Sequence, residues 1–166
     1  KWKKASGATG YVVYKYNPNT KKYSKAGTTK NLNYKVSKLS SGTTYYYAVR
    51  SYKTVKGKNY YSAYSARLRT TTLPAAPKGL KYTAASTTGA SSTVTMAWGK
   101  VSGATGYKLQ YSTVKAFTSS VKTISTTSLS RKITSLKAGT TYYFRIYAYR
   151  VVNNKTYTSP VSAVVS

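Results

Sequence analysis

The chain has 166 residues, 28 of them Lys or Arg and none Asp, Glu or His, for a formal net charge of +28. A soluble chain of this length ordinarily carries about 20 carboxylates, so the deficit is a property to be explained. Cys is absent too, and the missing types exclude carboxylate or imidazole acid–base catalysis, Ser–His–Asp and Cys–His nucleophiles, disulfides, and the usual Zn²⁺, Ca²⁺ or Mg²⁺ ligand sets. Only Lys and Tyr remain to titrate, and a catalytic Lys needs burial or a neighbouring cation. The expectation is a non-enzyme with no cofactor and no metal. No apolar run approaches the ~20 residues of a membrane span. Hydrophobic residues are 40% of the chain and Tyr occupies 20 positions, enough for a folded core despite the charge.

The chain opens at Lys1-Trp2 with no initiator Met, which reads as a fragment or a processed product. Trp2 is followed by Ala5-Ser6-Gly7-Ala8-Thr9-Gly10-Tyr11, and Tyr11 and Val13 begin an alternating run. Leu39 to Arg50 (LSSGTTYYYAVR) alternates again, with Tyr45, Tyr47 and Val49 on one face. Leu73-Pro74-Ala75-Ala76-Pro77-Lys78-Gly79 then places two prolines in four residues, a stiff linker and not a strand. Beyond it Val94, Met96 and Trp98 share a face, as do Tyr107, Leu109 and Tyr111. Tyr142, Phe144, Ile146 and Ala148 alternate with Tyr143, Arg145, Tyr147 and Tyr149.

The second half repeats the first. Trp98 matches Trp2, Val101 to Tyr107 answers Ala5 to Tyr11, and Leu136 to Tyr147 (LKAGTTYYFRIY) answers Leu39 to Arg50. The offset is 96 residues at Tyr11/Tyr107 (107 − 11) and 97 at Tyr45/Tyr142 (142 − 45). No segment has helical periodicity. The expected organisation is all-β: a unit over 1–73, a Pro-containing linker over 74–79, and a unit over 80–166, each a β-sandwich of about seven strands.

The pattern Trp98, Tyr107-x-Leu109-x-Tyr111, Leu136-x-x-Gly139-Thr140-x-Tyr142-x-Phe144-x-Ile146-x-Ala148 resembles a fibronectin type III domain, an Ig-like sandwich. Trp2, Tyr11-x-Val13 and Leu39-x-x-Gly42-Thr43-x-Tyr45-x-Tyr47-x-Val49 carry the same resemblance in the first half, so it covers almost the whole chain. It implies two tandem domains, with Trp2 and Trp98 in the cores. Tyr45 and Tyr142 would be corner tyrosines whose hydroxyls bond back to nearby backbone. The SGATGY and AGTTYY phrases are similar to modules of Gram-positive surface and secreted proteins. That resemblance implies a non-catalytic, extracellular structural or adhesive module at the cell surface, a spacer or a filament subunit. The first copy departs from the family, because Leu80 to Ser92 precede the Trp strand in the second copy and only Lys1 precedes Trp2. Its A strand is expected to be missing, leaving an unpaired edge. Truncation, poor order upstream or a strand donated by another subunit would each account for this; the last makes other modules or subunits of the same protein partners and would build a fibre.

Tyr14, Tyr46, Arg50 and Tyr52 in the first unit, and Tyr143, Arg145, Tyr147 and Tyr149 in the second, form outward stripes able to stack sugars or bases beside an anion. The same residues also serve as cross-strand pairs that stabilise a sheet face. Cations are spread, 16 in residues 1–73 and 12 beyond. No phosphate-binding loop, RNA-binding signature or basic helix occurs, so sequence-specific nucleic-acid recognition is not expected. Anionic cell-wall polymers, glycans and nucleic acid would all be attracted generically, in a salt-sensitive way. Asn154-Lys155-Thr156 fits a glycosylation triplet, a pattern that arises often by chance, and the plain structural reading is preferred. Four readings of the charge stand: a wall-facing spacer, an engineered supercharged scaffold, a polyanion- or glycan-binding module, and a sequence read from an electron-scattering map. In such a map carboxylates fade early and pass for smaller residues.

Overall fold

A computed structural model describes residues Lys1–Ser166; it is built of strands and turns with no helix. The chain divides into two compact units, Lys1–Thr71 and Thr72–Ser166.

The first unit contains β1 (Gly10–Asn17), β2 (Lys22–Thr29), β3 (Thr44–Val55), β4 (Lys58–Tyr61) and β5 (Leu68–Thr71). They form one antiparallel sheet ordered β2-β1-β3-β4, and β5 also pairs with β3. Both β4 and β5 lie along one edge of β3, β4 against Tyr52–Val55 and β5 against Thr44–Tyr47. A two-residue turn joins β3 to β4 with both central residues at positive φ, Lys56 (48°) and Gly57 (75°). That is the geometry whose twist matches a β-hairpin. One face of the sheet buries Val13, Tyr45 and Tyr47 beneath Trp2, Tyr34, Val36 and Leu39.

The first unit is not the sandwich missing only its A strand that the sequence pattern predicts. Its covering layer has no ladder at all: residues 34–40 form no strand and bend at Lys38, whose φ is 56°. The matching segment of the second unit is a strand because it pairs with the strand Ser91–Ala97 that leads into Trp98. Of that partner strand only Ala97 has a counterpart here, Lys1 (97 − 96 = 1). One backbone bond survives, Trp2 N–H to the Leu32 carbonyl at 3.0 Å. Alternation makes a segment competent for a strand, but backbone donors and acceptors need a neighbour to become one.

The second unit contains β6 (Lys81–Thr88), β7 (Ser91–Ala97), β8 (Gly106–Ser112), β9 (Lys122–Thr126), β10 (Ser130–Lys137), β11 (Tyr143–Val152) and β12 (Lys155–Thr158). They form two antiparallel sheets, β10-β7-β6 and β12-β11-β8-β9, the pairing of an Ig-like sandwich. Between the sheets lie Met96, Trp98, Leu109, Ile133, Leu136, Phe144, Ile146 and Ala148, all buried. Their periodicity of two is what places them on the inner faces. β6 is held by its ladder to β7 while every one of its residues stays exposed. Asn153 and Asn154, at φ 49° and 58°, form the β11–β12 turn, so Asn154 serves the hairpin.

Gly10 and Gly106 are fixed by a close approach. A Cβ on either would lie 2.6 Å from the hydroxyl of the tyrosine across the ladder, Tyr52 or Tyr149. The ring lies over bare backbone, a packing only glycine permits.

Candidate functional site

The two units share a set of side-chain fasteners at equivalent positions. Tyr45 Oη accepts the Ser40 N–H at 2.8 Å, and Tyr142 Oη accepts the Lys137 N–H at 3.2 Å. Tyr11 Oη accepts the Ala5 N–H and Tyr107 Oη the Val101 N–H, both at 2.9 Å. Trp2 and Trp98 pack on these tyrosines with ring centroids 5.4 and 5.7 Å apart. After β4 and β12 the chain leaves the regular ladder, and paired serines hold it to the neighbouring strand. Ser159 and Ser162 donate their N–H groups to the Ala148 and Ile146 carbonyls, while their Oγ atoms accept the N–H groups of the same two residues. Ser62 and Ser65 do the same for Ser51 and Val49. The sequence carries these as Ser-x-x-Ser in both copies, a spacing that strand alternation does not flag.

The corner bond tunes the phenols. Hydrogen bonding from Ser40, through its side chain first and its backbone N–H second, outweighs burial and, helped by the Lys15 ammonium 4.8 Å from the ring, holds Tyr45 below the ordinary tyrosine range. Burial pushes its neighbour Tyr47 up. Tyr47 Oη is buried with no hydrogen-bond partner, and the second unit has Phe144 at the equivalent position.

The outer face of the first unit concentrates aromatic and cationic groups. Register places Tyr14 opposite Ala48, Val12 opposite Arg50 and Tyr16 opposite Tyr46, so these side chains share one face. Tyr23 and Tyr64 stack on each other at 4.0 Å with planes 9° apart. Tyr14 meets Tyr64 edge-on at 5.1 Å, and Tyr16 meets Tyr23 at 4.9 Å. Arg50 sits 4.9 Å from the Tyr64 ring and 5.1 Å from Tyr61, and its Nε donates to the Ser62 carbonyl at 2.5 Å. Arg67 lies 4.3 Å from the Tyr16 ring. Of the residues expected here, Tyr14 and Arg50 enter the cluster, and Tyr52 touches its rim through Tyr61 at 5.9 Å. Tyr46 stands beside Tyr16 and Arg69 across the ladders but outside these ring contacts. Tyr16, Tyr23, Tyr61, Tyr64 and Arg67 complete it, brought in by a register and an edge segment that alternation within one strand does not reveal.

The second unit does not repeat the cluster. Tyr143, Arg145, Tyr147 and Tyr149 do face outward, since Phe144, Ile146 and Ala148 between them are buried. They do not gather, however. Arg145 donates from Nε to Gln110 Oε1 at 2.8 Å and lies 4.1 Å from the Phe117 ring, Tyr149 covers Gly106, and Tyr147 faces Lys108 across the ladder.

The fibronectin type III domain model matches residues 75–164. That is 90 of 166 residues (164 − 75 + 1), more than half the chain. The chain belongs to the fibronectin type III family. A two-domain fibronectin type III segment of chicken tenascin is similar over 98% of this chain and 87% of its own, with TM-score 0.59 and 15% identity. The FN1–FN3 domains of chicken CNTN1 align over 94% of this chain and 53% of theirs, with TM-score 0.46 and 17% identity. No curated protein sequence matches the chain. The tenascin likeness is one of fold, and it spans both units. The tenascin segment is from an animal, and a Gram-positive source is not shown by it. Fibronectin type III domains are generally non-catalytic and typically structural or adhesive, and no helix here is long and apolar enough to cross a membrane.

Proposed function

We propose that the chain is a non-catalytic structural and adhesive segment of an extracellular surface protein, of the kind built from tandem fibronectin type III modules in Gram-positive bacteria. The observation that carries this reading is the repetition of the same fasteners in both units: corner tyrosine, Trp–Tyr pair and Ser-x-x-Ser. Duplicated mechanical detail around ordinary cores suits a spacer. The residue types absent from the sequence leave no general acid, base or metal ligand of the usual kinds. Its partners in this reading are neighbouring modules of the same protein. A strand added in trans would pair with residues 34–40, whose counterpart β10 is laddered.

Stretching the full chain between its ends tests the spacer role. The second unit holds 95 residues (166 − 72 + 1), so its unfolding should lengthen the tether by about 300 Å in one cooperative event. The first unit, with its unladdered layer, should yield earlier. Gradual extension without a discrete event would sink the reading.

A further inference from the structure

We propose that the tyrosine–arginine cluster on the outer face of the first unit is a binding site for an anionic polysaccharide, one whose sugars carry sulfate or carboxylate groups. The ring cluster is continuous from Tyr16 through Tyr23 and Tyr64 to Tyr14, and Tyr64 is 39% exposed. An amphipathic surface of this kind offers exposed ring edges and phenolic hydroxyls to a chain of sugars.

The cations are the second part of the argument. Arg50 and Arg67 are positioned over rings, Arg50 is further fixed by its bond to the Ser62 carbonyl, and no carboxylate side chain exists in the chain to neutralise either. A guanidinium held by stacking and one hydrogen bond keeps its remaining N–H groups for an oxyanion, in a geometry already ordered before the ligand arrives. Two such groups flanking an aromatic surface are complementary to a chain of charged sugars. Single-stranded nucleic acid is disfavoured by the same geometry. Bases need open ring faces, and Tyr23 and Tyr64 are already closed on each other at 4.0 Å, whereas a sugar chain can bind through the ring edges, the phenolic hydroxyls and the two guanidinium groups.

The second unit supplies the internal comparison. Counting 97 residues on, Tyr64 becomes Val161, Arg67 becomes Val164 and Arg50 becomes Tyr147; counting 96 on, Tyr14 and Tyr16 become Gln110 and Ser112. The fasteners Ser62 and Ser65 persist as Ser159 and Ser162. The fold was kept and the cluster was not, so the cluster is not a requirement of this sheet face.

The test titrates a heparin octasaccharide into the full chain at about 0.3 M salt, where non-specific attraction is largely screened. Backbone resonances of β1, β2 and Tyr61–Arg67 should move, and those around Tyr143–Tyr149 should not. Tyr64→Ala and Arg67→Gln should each weaken binding about tenfold. Lys100→Gln, the same charge change at an exposed position of the second unit, should weaken it less than twofold. Far-UV circular dichroism and a melt establish that each variant is folded, and Arg67→Gln alters no buried side chain. Equal losses for Arg67→Gln and Lys100→Gln, shifts spread over both units, or no binding would each overturn the site. Tighter binding of a single-stranded oligonucleotide with the same dependence on Tyr64 would overturn its assignment to a glycan. The spacer role survives all of these outcomes, because extension under force reads it separately.

Discussion

Tyr47 has a hydroxyl buried against Val13 and Tyr45 without a partner, in the place where the second unit puts Phe144. An unsatisfied buried hydroxyl costs about 1 kcal/mol or more, so Tyr47→Phe should stabilise the first unit by about that amount. The pH dependence follows from burial raising the Tyr47 phenol above its ordinary value. A raised value gives stability that is complete below about pH 10 and is lost as the unfolded phenol ionises first above it. Tyr45 is held low by its hydrogen bonding to Ser40 and has the opposite sign, gaining stability as pH rises towards about 10, below the interval in which Tyr47 loses it. Melting from about pH 8 to pH 11 should therefore fall less steeply in Tyr47→Phe than in the parent. Lysine titration is common to both proteins and drops out of the difference. Identical alkaline slopes would show that the Tyr47 hydroxyl reaches water.

Strands were legible where a partner strand is also encoded. Tyr107, Leu109 and Tyr111 on β8, and Phe144, Ile146 and Ala148 on β11, fall inward as their alternation predicts, because each strand has its neighbour in the same chain. Residues 34–40 carry the same apolar pattern as β10, with Val36 and Leu39 packed inward, yet form no strand for want of a neighbour. The outer cluster was half legible: Tyr14 and Arg50 follow from alternation, while Tyr23 and Tyr64 depend on register with β2 and on the irregular segment after β4. That segment is also where side chains replace backbone. Ser162 Oγ accepts the buried Ile146 N–H at 3.1 Å, so Ser162→Ala should leave that donor unsatisfied and cost about 1–3 kcal/mol. Urea denaturation followed through Trp98, buried in the same unit, measures it. A change below about 0.5 kcal/mol would mean that water replaces the hydroxyl.

At the scale of the whole molecule, the charge of +28 acts on stability through self-repulsion. With no carboxylate or imidazole side chain, side-chain charge is almost constant from about pH 3 to pH 8, so the melting temperature should be nearly flat across this range. It should rise as salt is raised from about 0.01 M to 0.5 M, because the screening length shortens several-fold. A melt indifferent to salt, together with tryptic peptides found to contain Asp or Glu, would remove the charge from the account. The fold would stand unchanged, since it rests on the apolar alternation and on neutral fasteners.

The Ser-x-x-Ser segments also bear on how such chains coexist at high concentration. Three residues of the serine segment are matched to two of the adjoining strand, Ser159 and Ser162 against Ala148 and Ile146. The outer side of this edge therefore lacks the even row of donors and acceptors that a foreign strand would copy, and β12 before it is only four residues long. The spacing also fixes the register, since a slip of one or two residues would take both hydroxyls away from their N–H groups at once. This edge is thereby guarded against pairing with a foreign strand without a charged side chain between Ser159 and Ser166.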